Sequence, residues 1–187
     1  MSRGASNKRK GSNAERYYAK VFREDLGFTF CKTSRASNRM LDDAGVDLNF
    51  LPFNVQIKAG YAKGLNEVKT LDIIRERLPL LFPPYDDIHK KVNILIHKKD
   101  TGRGKKKSIY DELVFMRTEN FRKLFPKADI DVDGMPVQEG QKRGWNYEEE
   151  LWRSPEGMML YLPTAEDRLL VMTFKTFKEL VKTRKWE

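Results

Sequence analysis

The chain has 187 residues, 36 Lys and Arg against 27 Asp and Glu, and a formal net charge of +9. With 40% hydrophobic and 11% aromatic residues it can build a buried core, which excludes a disordered chain. A single cysteine, Cys31, excludes an internal disulfide and points to a reducing compartment. No apolar run nears the roughly 20 residues of a membrane span, and no apolar leader opens the sequence, so a cytoplasmic protein with no membrane partner is expected.

In chain order, residues 1–11 are small, polar and basic and read as a disordered tail. Ser12 and Glu15 fit a capping box, and a helix follows to about residue 26, with Ala14, Tyr18, Val21 and Phe22 on one face and Gly27 closing it. Residues 28–32 alternate as a strand, and 33–45 read as a polar loop. Two short strands then flank the turn at Pro52, Phe53 and Asn54. In the first, Val46, Leu48 and Phe50 alternate with Asp47 and Asn49; in the second, Phe53, Val55 and Ile57 alternate with Gln56 and Lys58.

Asn66 can cap a helix carrying Val68, Leu71, Ile74 and Leu78, with Pro79, Pro83 and Pro84 ending it. Strands are expected at 92–97 and 112–116, and Thr118 as the cap of a short helix to Phe125. Residues 126–150 read as irregular, with an acidic patch at Glu148, Glu149 and Glu150. Strands at 158–162 and 169–173 and a helix over 175–185 complete the chain. The stretch from Asp111 to Leu124 echoes that from Asp167 to Leu180, a likeness that any strand–turn–helix unit produces. The sum is an α/β (α+β) chain with a central mixed sheet flanked by helices: a tail over 1–11, a core over 12–125 and a C-terminal β-α extension over 126–187 packed on that core.

Positive charge is unevenly placed. Residues 1–39 hold ten Lys and Arg against three acids, and a second knot comprises Lys98, Lys99, Arg103, Lys105, Lys106 and Lys107. Clustering of this kind marks a polyanion binder, or else a solubilising surface. If the turn before Val55 is tight, Asp47 lies nearly opposite Gln56, with Cα atoms about 5 Å apart. A carboxylate, an amide oxygen and an ammonium then meet on an otherwise apolar hairpin, a grouping that suits a hard divalent cation and a polarised water. The remaining polar groups are less telling: Asp42 and Asp43 read as a turn pair, and His89 and His97 lack metal-ligand spacing.

The ordered set Lys10-Gly11, Glu15-Arg16, Gly27-Phe28, Lys32 with Ser34 to Ser37, Asp47, and Gln56-Ile57-Lys58 resembles the PD-(D/E)xK nuclease superfamily, and within it the archaeal-type Holliday junction resolvases that also occur in viruses. The likeness covers about residues 10–60. It implies a restriction-endonuclease-like core and Mg²⁺- or Mn²⁺-dependent hydrolysis of DNA phosphodiesters to 5′-phosphate and 3′-hydroxyl ends, by a homodimer acting on branched DNA.

It further implies that Asp47, Gln56 and Glu15 hold the metal, that Lys58 orients the attacking water, and that Lys10, Arg16, Lys32, Ser34, Arg35, Ser37 and Arg39 contact DNA, with either Ser37 or Ser34 near the scissile phosphate. Gln56 stands where that family usually has glutamate, a lost charge for which Asp42 or Asp43 could swing in to compensate, and the loop over 33–45 is longer than in the compact resolvases. Glu15 is equally a capping-box acid, and Gln56 equally a satisfied polar residue on an edge. A restriction- or repair-type nuclease on duplex or flap DNA, and a DNA-binding protein with a nuclease-like fold that does not cut, are the alternatives.

Overall fold

A computed structural model describes residues 3–60, 65–99, 108–140, 151, 153–154 and 157–186, with only the backbone for residues 3–8. Helix α1 (Arg3–Glu24) is followed by β1 (Lys32–Thr33), two single helical turns, α2 (Ser34–Ser37) and α3 (Arg39–Asp43), and then β2 (Leu48–Asn49) and β3 (Asn54–Gly60). Helix α4 (Glu67–Leu81) leads to β4 (Asn93–Lys99), β5 (Glu112–Arg117) and α5 (Thr118–Leu124). The chain continues through β6 (Val137–Glu139), β7 (Met158–Leu162) and β8 (Leu169–Thr173) to α6 (Phe174–Thr183).

All eight strands form one open sheet in the order β1-β2-β3-β4-β5-β8-β7-β6. It is mixed: β3 runs parallel to β4 and β6 parallel to β7, and the other neighbours are antiparallel. Helices cover both faces. On one, Val55, Ile57, Ile94, Ile96, Val114 and Met172 pack beneath Tyr18 and Phe22 of α1, Phe121 of α5 and Phe174 and Phe177 of α6. On the other, Leu95, Leu113, Phe115 and Val171 meet Leu71 of α4, while Ile74 and Leu78 of the same helix pack on Leu41, Val46 and Ile88. Strand alternation divides residues between these faces: Val55 and Ile57 point one way, so Gln56 and Lys58 point the other.

Several elements depart from the sequence reading. Residues 3–11 of the segment read as a tail are helical, part of α1, and Ser12 and Glu15 lie inside the helix rather than at its cap. Ser12 Oγ instead accepts from Arg16 Nη2 at 3.3 Å. The strand expected over 28–32 shortens to Lys32–Thr33, and the polar loop contains α2 and α3. Asn66 does cap α4, accepting from Lys69 N at 2.8 Å. Pro79 sits inside that helix, and the stop falls at Phe82, held extended because Pro83 follows it. Thr118 is the first residue of α5 rather than its cap, which is Arg117. Residues 158–162 and 169–173 are strands as expected, and 137–139 add one inside the stretch read as irregular. The acidic patch at 148–150 and the basic residues at 103–107 lie outside the described residues.

The C-terminal residues do more than pack on a core. Strand β8 inserts beside β5 and carries β7 and β6 with it, so the sheet continues through the whole chain. Here the echo gains a geometric meaning. Phe115 pairs with Val171, its own counterpart in the echo, and the two strand–helix units run antiparallel about that point, with both helices on one face. The two units are thus related by a local two-fold axis normal to the sheet.

Candidate active site

The site forms where β2 approaches β3. Leu48 pairs with Val55, and that register extended by one residue sets Asp47 opposite Gln56. The approach is not a regular hairpin. Asp47 N donates to Val55 O at 2.7 Å, and Val46 and Leu48 pack in different clusters on opposite faces of the sheet. Ideal alternation would put both on one face, so the backbone turns at Asp47. Phe50, expected in the core with Val46 and Leu48, is half exposed instead.

Gly45 makes the turn possible. Its φ is +85°, a left-handed conformation that costs any residue with a Cβ, and a Cβ there would lie 3.2 Å from Gln56 Oε1. Gly45→Ala is therefore expected to lower stability by about 1–2 kcal/mol, seen as a lower urea midpoint. A variant as stable as wild type would show that Gly45 is not under this constraint.

Asp47 is 9% exposed, and its Oδ2 accepts from Ile57 N at 2.6 Å. Burial pushes its carboxyl up to about 7; the Ile57 N–H and the Lys58 ammonium pull it down, and the charges of Glu15 and Asp42 push it up. Glu15 is also buried and also raised. Burial is the main cause, opposed by Arg35, reinforced by Asp42, and opposed further by Arg16 and Lys58. Arg35 bridges this acidic group, with Nη2 3.7 Å from Glu15 Oε1 and Nε 3.5 Å from Asp42 Oδ2. Glu15 and Asp42 thus both disfavour ionisation of Asp47, and Asp42 that of Glu15, with Gln56 buried beside Gly45 and Lys58 half-buried on the same strand.

Asp47 and Glu15 are thus both held above the ordinary carboxylate range, chiefly by burial. A carboxamide oxygen and hard carboxylates are also the donor types that Mg²⁺ and Mn²⁺ accept. The donor set therefore fits such an ion in kind. Among the described residues, however, no three His, Cys, Asp or Glu side chains stand close enough together to hold a metal.

The residues expected at DNA fall into two groups. Lys10, Arg16, Lys32, Arg35, Ser37 and Arg39 are exposed. Ser34 is 0% exposed, its N donates to Asp47 O at 2.8 Å, and its Oγ has no partner, so it braces Asp47 from within and Ser37 is the accessible serine. Ser37 Oγ donates to Thr33 O at 3.0 Å and accepts from Asn49 Nδ2 at 3.3 Å. The second basic knot is partly engaged already: Lys98 Nζ sits 3.1 Å from Glu112 Oε1 and 3.8 Å from the Tyr17 ring centroid. Gly45 and Asn49 escaped the sequence reading. The clue to Gly45 was its place two residues ahead of a lone acid on an apolar strand. No helix among the described residues is long and apolar enough to cross a membrane. No family model, curated protein or solved structure matches the chain.

Proposed function

We propose that the protein is a divalent-metal-dependent DNA endonuclease that cuts branched DNA, built on a restriction-endonuclease-like core and acting as a homodimer. The observation that carries the reading is Asp47: a buried carboxylate immediately ahead of β2, aimed by a backbone N–H, and sharing its field with Glu15 of α1 and Lys58 of β3. Burying a carboxylate without a compensating partner is costly, and such sites are enriched in function. Asp47, Glu15 and the Gln56 amide oxygen would hold the cation, which when bound supplies Lewis-acid polarisation and a water of lowered pKa. Lys58 would face the charge that develops on the phosphate. The exposed Arg16, Lys32, Arg35 and Arg39 would hold the DNA backbone, so affinity should fall steeply with salt. Two-fold symmetry would suit paired incisions across a junction.

The test is incubation of labelled four-way junction, flap and linear duplex DNA with the protein in Mg²⁺ or Mn²⁺. The expected outcome is junction cleavage leaving 5′-phosphate and 3′-hydroxyl ends. Preferential cutting of duplex or flap would move the reading to a repair-type nuclease, and no cutting of any substrate would sink it.

The neutral Gln56, with no trio of acidic ligands among the described residues, favours one second reading: a DNA-binding protein that does not cut. Gln56→Glu separates the two. It adds a carboxylate to a field that already raises Asp47, so the metal-free variant should melt below wild type. Mn²⁺ should then raise its melting temperature more than it raises that of wild type. Equal Mn²⁺ shifts for the two proteins would remove position 56 from the metal site.

A further inference from the structure

We infer that Phe50 is a stacking platform for an unpaired base of the substrate beside the phosphate to be cut. This rests on the nuclease reading and specifies its substrate as DNA with a base out of its stack. Among the described residues Phe50 is the only one besides glycine with positive φ, at 62°, and its side chain is 52% exposed. A bulky residue in the left-handed region is disfavoured by its own Cβ, and a ring left in water gains nothing from burial, so both local terms oppose the observed pose.

The pose is nonetheless built. Asn49 Oδ1 accepts from Phe50 N at 2.7 Å, and Asn49 Nδ2 donates to Ser37 Oγ, which in turn donates to Thr33 O. Phe30, 76% exposed, lies two residues ahead of Lys32, which pairs with Asn49, so a second aromatic flanks the same sheet edge.

The occupant is argued from charge and distance. The exposed Lys32 pairs with Asn49 beside Phe50, and Arg35 and Arg39 follow it, exposed though ion-paired to Glu15, Asp42 and Asp43, in α2 and α3; a second copy of this basic chain would bring like charge to Lys32, whereas a nucleic acid would bring opposite charge. An aromatic beside a cationic track is the arrangement that binds unpaired bases without reading their sequence. Phe50 is the third residue after Asp47, so their Cα atoms are at most about 11 Å apart. At the about 3.4 Å per nucleotide of a stacked strand, that span corresponds to about three nucleotides.

The experiment uses the full chain in an Asp47→Asn background, with a fluorescent base analogue at the branch point of a four-way junction and at the centre of a paired duplex. Binding is expected to quench the junction probe. Adding Phe50→Gly should abolish the quench and weaken junction binding by roughly tenfold, with duplex binding changed by less than about twofold. The melting temperature should stay level or rise, since glycine tolerates the left-handed backbone, and Phe50→Trp should restore the quench.

A quench that survives Phe50→Gly overturns the inference, as does equal loss on both DNAs. A wild-type dimer that Phe50→Gly dissociates would also overturn it, by showing a second copy on the ring. If the chain with Asp47 intact cuts junctions and Phe50→Gly changes nothing, only the inference fails. If it neither cuts nor binds DNA, the nuclease reading fails as well.

Discussion

Asp47→Asn is expected to abolish DNA cleavage, by a factor of roughly 10³ or more, while raising the thermal stability of the metal-free protein at pH 8. The first half follows from chemistry. Losing a ligand charge at a hydrolytic metal removes several kcal/mol of transition-state stabilisation, and each 1.4 kcal/mol is about tenfold in rate. DNA binding should survive, because the phosphate contacts assigned to Arg16, Lys32, Arg35 and Arg39 are untouched.

The second half follows from proton linkage. The Asp47 carboxyl is raised to about 7 in the fold, against an ordinary 3.8. Between those values the native state holds a proton that the unfolded chain releases, so stability falls as pH rises from about 4 to about 7, and the full penalty stands above that. Asparagine has no charge to bury, and its Oδ1 can still accept from Ile57 N. The variant's advantage in EDTA should therefore be on the order of 1–3 kcal/mol at pH 8 and vanish towards pH 4. Melting curves across that range check it. Retained cleavage would sink the site assignment, whereas a variant less stable than wild type at pH 8 would sink the burial argument alone.

How far the sequence could see depends on whether the signal was local. Residues 158–162 and 169–173 are apolar runs bounded by turn residues, and the strands fall there. The cap at Asn66 is a contact three residues long, equally visible. The opposition of Asp47 and Gln56 is consistent with the Leu48–Val55 register, which the two-residue period of paired strands transmits.

Other features depended on contacts that a linear reading cannot weigh. Ser12 carried a capping pattern, but nothing in four residues says whether a helix has already begun. Asp42 and Arg35 join the acidic group through turns that looked like loop, because Ser, Asn and Asp favour short helical turns and open loops alike. Ser34 and Ser37 were indistinguishable by type and were separated only by burial. Glu15 came from the family resemblance and not from spacing; its burial among charges from three other elements is a tertiary fact.

The hairpin's two phenylalanines show the same limit in energetic terms. Alternation assigned Phe50 and Phe53 alike to the apolar face, yet Phe53→Ala is expected to destabilise the protein by about 3–5 kcal/mol and Phe50→Ala hardly at all. Phe53 is 1% exposed and sits at the hub of an aromatic cluster. Its ring centroid lies 5.8 Å from Phe22, 6.0 Å from Phe28, 5.8 Å from Phe177 and 5.7 Å from Trp186, three of these in edge-to-face geometry.

Those partners come from α1, the turn after it, α6 and the C-terminal residues, so one ring joins both ends of the chain to β3. Truncation leaves a void that four rings cannot fill without tilting out of contact, and it forfeits the edge-to-face attraction as well. Against a total stability of about 5–15 kcal/mol this is a large share, and it should lower the melting temperature by on the order of 10 °C. Urea unfolding of the two variants side by side decides it. Equal midpoints would mean that the cluster does not hold the ends together, and the helical cover over β3, which brings Glu15 towards Asp47, would lose its anchor.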